Sequence, residues 1–243
     1  MKPGMLSVRK ILSITSKLIR YNLKIIFGNI FIYFLLGSIA FFLFVSVIIF
    51  FDSDSAPTTT AATVYYLLLF PGLLLIFYPT TFGIQYDSDT KMLEVLFGIP
   101  DYRYKVWLVR LAIIYILVFC ILIGLAFLGL LAFTHFSILN MVFQLMFPIF
   151  FIGSLAFMTS TLVRNGYGSM VILIVVGMVF WVLSGIVVES QWNLFLNPFR
   201  VPEKVNEIIW ADIIIKNRLY ISSGTILMLL FGLLNMQKRE KFV

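Results

Sequence analysis

Long uncharged apolar runs alternate along this chain with short stretches that hold nearly all of its charge. Six runs are long enough, at about 20 residues each, to cross the roughly 30 Å hydrocarbon layer of a bilayer as helices. They are Phe27–Phe51, Ala62–Gln85, Leu111–Phe133, Ile138–Leu162, Met170–Val188 and Leu219–Met236, and no Asp, Glu, Lys or Arg falls inside any of them. A charge at a helix centre costs about 2.5 to 3.5 kcal/mol on insertion scales, so each run is predicted to insert unaided. The expectation is an all-α integral membrane protein with six transmembrane helices in a single transmembrane domain over residues 1–243. The first run has no small-residue cleavage pattern and reads as a retained signal anchor.

Composition agrees with the pattern. Of 243 residues, 61% are apolar and 12% charged, whereas soluble domains run about 45–50% apolar and about 25% charged; a water-soluble fold is excluded. One cysteine, Cys120, and one histidine, His135, supply neither a disulfide framework nor a Cys/His metal cluster. The net charge of +7 takes its meaning from topology. With the N-terminus in the cytoplasm, that side holds fourteen Lys and Arg, against Arg200, Lys204, Lys216 and Arg218 on the other. This positive-inside bias predicts a multi-pass protein of the cytoplasmic membrane with both termini inside. It also accounts for the basic charge without nucleic acid.

Outside the spans, three segments stand out. Over residues 7–26, Ile11, Ile14, Leu18, Tyr21 and Ile25 recur at spacings of three and four, and Lys10, Lys17, Arg20 and Lys24 mark another face. That predicts an amphipathic helix on the cytoplasmic membrane surface, serving either as a lipid anchor or as a hold for a cytosolic partner. The second connection, residues 86–107, carries acids and bases in an otherwise charge-poor chain. Asp87 and Asp89 precede the apolar Met92, Leu93, Val95 and Leu96, with Glu94 among them, and Gly98 and Pro100 stop the stretch before Arg103 and Lys105. Acids at its start suit the positive end of a helix dipole, so a short cytoplasmic helix is expected there. The fifth connection, residues 189–218, includes Trp192, Phe195, Phe199, Ile208, Ile209 and Trp210. Unstructured loops of that length are uncommon, which predicts one or two short interfacial or re-entrant helices, forming either an exit lid or an interfacial anchor.

Motifs for catalysis are missing from the sequence. There is no Gly-x-x-x-x-Gly-Lys-Ser/Thr phosphate loop. No carboxylate or His pair lies within the six runs, where proton relays and coupling sites would place one. Polar residues inside the runs, among them Tyr65, Asn140, Gln144 and the run Thr159, Ser160, Thr161, suit helix-to-helix hydrogen bonding; Tyr65, Asn140 and Gln144 are also candidates to line a translocation path. Pro71, Pro79 and Pro148 are expected to bend the second and fourth helices.

Six spans, an amphipathic leading helix, a charged second connection and a long fifth connection together resemble the type-2 ATP-binding-cassette exporter permeases. That family's cytoplasmic loop reads as acids, Gly-Thr-Leu-Glu, an apolar pair, a Pro and a basic segment. Here Asp87-Ser88-Asp89-Thr90-Lys91-Met92-Leu93-Glu94-Val95-Leu96-Phe97-Gly98-Ile99-Pro100 keeps the acids, Leu93-Glu94, the apolar pair and the Pro, with Arg103, Lys105 and Arg110 downstream, and has Lys91-Met92 where the family has Gly-Thr. The resemblance implies a coupling helix, with Asp87, Asp89, Glu94, Pro100 and Arg103 facing a separate ATPase subunit. It further implies a second permease as partner, ATP and Mg bound by the ATPase and no cofactor or catalytic residue on this chain. The alternative expectation is a non-transporting membrane scaffold or sensor that anchors a cytosolic partner.

Overall fold

A chain crossing hydrocarbon must satisfy every backbone N–H and C=O within itself, which leaves the helix as the solution for separate apolar runs. The computed structural model describes residues 30–52, 60–89, 102–133, 135–203 and 205–236, and in them each run is a helix. These are α1 Ile30–Asp52, α2 Ala61–Asp89, α3 Tyr102–Ala132, α4 Ile138–Val163, α5 Gly166–Ile186 and α6 Glu207–Met236. All six are long and apolar enough to span a membrane, so the protein is a multi-pass helical membrane protein by length and composition. The amphipathic segment 7–26 and the expected coupling helix, including Glu94 and Pro100, lie outside the described residues.

Helix α4 is the centre of the bundle and packs against α2, α3, α5 and α6. Its small residues allow this. A Cβ on Gly153 would come within 2.7 Å of Ile76 Cγ1 and 2.8 Å of the Tyr115 hydroxyl, so α2 and α3 approach the α4 backbone at a distance that only glycine permits. Side-chain hydroxyls complete the contacts. Ser160 donates to the Thr81 carbonyl at 2.8 Å, and the Tyr115 and Ser154 hydroxyls lie 3.2 Å apart. Helices α4 and α6 run parallel, tied near one end by Arg218 to Gln144 and near the other by Asn235 Nδ2 donating to the Thr161 carbonyl at 2.6 Å.

The connections divide between two ends. One, here the charged end, carries the α2–α3 connection and the two-residue turn Arg164-Asn165. Arg164 takes a left-handed conformation, φ 58°, and its N–H bonds the Ser160 carbonyl, while Asn165 Oδ1 accepts from the Tyr167 and Gly168 N–H groups and caps α5. The opposite cap end carries the α1–α2, α3–α4 and α5–α6 connections.

Three expectations need correction. First, α3 begins nine residues before the uncharged run and α6 begins twelve before, because a helix continues into polar sequence wherever water or neighbours can solvate its side chains. Uncharged length marks only the apolar part. In consequence Arg110 and Arg218 sit inside candidate spans and are buried, against the expectation that the spans hold no charge. Second, no helix forms in the described residues between 187 and 206. That stretch is a series of turns, and the remainder of the expected re-entrant segment is the start of α6. Third, α2 runs through Asp89, so Asp87 and Asp89 close this helix and do not open a new one there.

Candidate functional site

At the cap end, the turns of residues 187–203 fold into the mouth of the bundle, and asparagines hold them there. Asn193 Nδ2 donates to the Val188 carbonyl at 3.1 Å while its Oδ1 accepts from the Phe195 N–H at 3.0 Å. Asn197 repeats the motif four residues later, with Nδ2 donating to the Ala62 carbonyl of α2 at 2.9 Å and Oδ1 accepting from the Phe199 N–H at 3.0 Å. Between them Leu194, Phe195 and Leu196 are buried. From α6, Asn217 Nδ2 donates to the carbonyls of Gln191 and Asn193 at 2.9 and 2.8 Å. Trp210 Nε1 donates to the Pro198 carbonyl at 3.3 Å.

Arg218 joins these parts into one network. Its Nε donates to Gln144 Oε1 of α4 at 2.9 Å, one terminal nitrogen to Asn217 Oδ1 at 3.0 Å and the other to the Leu196 carbonyl at 3.2 Å. The Tyr65 hydroxyl of α2 donates to the same Leu196 carbonyl at 3.3 Å. Helices α2, α4 and α6 and the inserted turns therefore meet at one guanidinium that is only 7% exposed. Every one of these acceptors is neutral. Among the described residues no Asp or Glu lies within salt-bridge distance of Arg218, and the ion pair seen there joins Lys216 to Asp212 at the exposed start of α6. A buried charge held by dipoles alone is an uncommon arrangement, since taking an ion out of water costs several kcal/mol, roughly, unless it is paired. Ionisable side chains placed inside a membrane protein usually mark function.

Two spaces adjoin the inserted turns. A cleft of about 440 Å³ is lined by Tyr66, Glu189, Asn197, Arg200, Glu203 and Trp210 among others. A neighbouring one of about 370 Å³ lies against Trp181, Ser184, Asn193 and Phe195.

Of the residues expected to line a path, the structure brings Tyr65 and Gln144 together around Arg218, with Tyr65 fully buried, and leaves Asn140 exposed on α4. Of those expected to couple, Asp87 lies in the last turn of α2, Asp89 is its exposed final residue, and Arg103 lies in the first turn of α3. All three are at the charged end. Sequence reasoning missed Arg218 by counting it as a loop cation. The readable signal was the spacing of Trp210, Asn217, Ile221, Thr225, Gly232 and Met236 in steps of four and seven, all of them on the buried face of α6. Among the described residues no cluster of His, Cys, Asp or Glu could hold a metal ion. No family model, curated protein or solved structure matches this chain.

Proposed function

We propose that this chain is the membrane-spanning permease subunit of an ATP-driven exporter, moving its substrate across the cytoplasmic membrane with energy from separate ATPase subunits that bind ATP and Mg. A second permease, identical or similar, completes the transporter. The observation that carries this reading is the shape of the charged end. At 29 and 31 residues and 1.5 Å per residue, α2 and α3 are roughly 43 to 47 Å long, against a hydrocarbon layer of about 30 Å. Their surplus includes Asp87–Asp89 and Tyr102–Lys105, which lie beyond the apolar spans at the same end. Only residues 90–101, with Glu94 and Pro100, join them. Two rigid helices presenting a short charged link suit a mechanical coupler. Force applied to the link would travel along α2 from Asp89 to Tyr65, and so to the Arg218 network at the cap end. The side assignment rests on charge. Taking the buried Arg110 from one count and the buried Arg218 from the other leaves thirteen basic residues against three, a bias that supports a cytoplasmic charged end and cytoplasmic termini.

The complete burial of Tyr65 favours a second reading, a scaffold or sensor with no path through it. Affinity purification in mild detergent separates the two. The exporter reading expects a co-purifying nucleotide-binding subunit with vanadate-sensitive hydrolysis, and loss of that subunit on Glu94→Lys. Recovery of the chain alone and inactive would overturn it. An ATPase that stays bound and coupled in the Glu94→Lys variant would remove the loop from the mechanism.

A further inference from the structure

The seam between α4 and α6 carries a groove of about 320 Å³, lined by Phe143, Met146, Phe147, Phe150, Ile221, Ser222, Thr225 and Ile226. It is apolar apart from two hydroxyls, and the Thr225 hydroxyl is already bonded to the Ile221 carbonyl at 2.8 Å. Because the two helices are parallel and Gln144 meets Arg218, the groove begins level with the guanidinium. From there it descends toward the middle of the bundle along residues 143–150 and 221–226, about 10 Å at 1.5 Å per residue. Phe147 belongs to both features: it is a wall of the groove, and its ring centroid lies 5.2 Å from Arg218 Cζ.

An apolar slot that starts at a buried cation and runs into the bilayer has the chemistry of one ligand class. We propose that the groove and Arg218 form a binding site for an anionic membrane lipid, with an acyl chain lying along Phe143–Phe150 and Ile221–Ile226 and the headgroup phosphate over Phe147 against the guanidinium. Charge complementarity selects the occupant. The partners of Arg218 among the described residues are all neutral, so its charge is solvated but not cancelled, and an anion arriving from the lipid cancels it. A free anion would gain nothing from the groove, and a zwitterionic lipid would bring its own cation. The depth fits as well. Gln144 is the seventh residue of α4, which places Arg218 about 10 Å below that helix's end, near where the headgroups of one leaflet meet the chains. This inference goes beyond the transport reading and stands or falls without it.

The test uses the full chain in phosphatidylcholine vesicles containing either phosphatidylglycerol or phosphatidylcholine with a photoreactive diazirine in the acyl chain, and maps labelled peptides by mass spectrometry. Label is expected on the peptides holding Phe143–Phe150 and Ile221–Ile226, about fivefold stronger from phosphatidylglycerol, the ratio that one cation near a membrane surface supplies. Arg218→Gln should bring phosphatidylglycerol down to the phosphatidylcholine level. Ser222→Phe, which fills the groove and leaves Arg218 in place, should lower labelling by both lipids. Excess inorganic phosphate should change neither, since it has no chain; loss of the headgroup preference on adding it would mean a plain anion site and overturn the proposal. Equal labelling by the two lipids in the unaltered chain also overturns it, as does no labelling by either, the result for a groove covered by a second copy. If Arg218→Gln does not fold, undiminished labelling of these peptides by phosphatidylglycerol in folded Ser222→Phe is sufficient to refute the site.

Discussion

Helices α4 and α5 are neighbours in sequence, separated by two residues, and α5 is the more hydropathic of the two. Yet the apolar window of α4 is 67% buried by protein and that of α5 only 11%. In water the more apolar helix would be the more buried. In a bilayer the lipid tails compete on equal terms with apolar side chains, so helices associate through close backbone approach and hydrogen bonds. The difference between these two helices follows that rule. Helix α4 offers Gly153, Ser154, Ala156, Thr159, Ser160 and Thr161, all buried. Helix α5 buries Gly166, Ser169 and Leu173 near its start and turns Val171, Val175, Val179, Trp181 and Val182 outward. Its Ser184 hydroxyl bonds its own helix at the Trp181 carbonyl.

The contrast can be broken at its strongest point. Gly153→Leu drives a side chain into Ile76 and Tyr115, whereas on α5 a Cβ at Gly177 meets nothing within 4 Å, which makes Gly177→Leu the control. The first is expected to destabilise by about 3 kcal/mol, the upper end of ordinary overpacking costs, and the second to leave stability unchanged. Thermal unfolding in detergent followed by size-exclusion fluorescence reads both, and equal stability of the two variants would refute α4 as the centre. Next in size, Gln144→Leu removes the acceptor for Arg218 Nε and leaves a buried donor of a charged group unpaired, at about 2 kcal/mol. The same unfolding assay, with proteolysis of the turns at residues 187–206 as a second readout, should show the cap end loosening first. The smallest effect tests the hydrogen-bond part of the rule. Ser160→Ala deletes the bond to the Thr81 carbonyl and should cost about 0.6 kcal/mol, the average for such bonds between membrane helices; a loss several times larger would mean that this one bond organises the α2–α4 contact.

The number and type of elements were legible because each apolar run needs no partner to become a helix. Helix ends were less so. Tyr102–Arg110 and Glu207–Arg218 are polar enough to look like loops, and they are helical because α3 and α6 continue past the apolar layer. Half of the candidate site was also legible. Tyr65 and Gln144 were conspicuous as polar residues inside apolar runs, but the same logic selected Asn140, which lies on the exposed face. Four positions separate Asn140 from Gln144, roughly one helical turn, so spacing alone puts both on the same side. Only the packing of α6 against α4 makes Gln144 face Arg218.

The sequence by itself determined that this protein has six membrane-length helices, with most of its Lys and Arg in the termini and in alternate connections. Those properties depend on the transfer of each segment from water to lipid and on the side at which each connection remains, and both are local. Tertiary structure alone decided which helix lies at the centre and that Arg218 is buried among neutral acceptors. These depend on how closely two backbones approach and on which carbonyls a folded loop presents, and neither quantity is carried by the composition of any one segment.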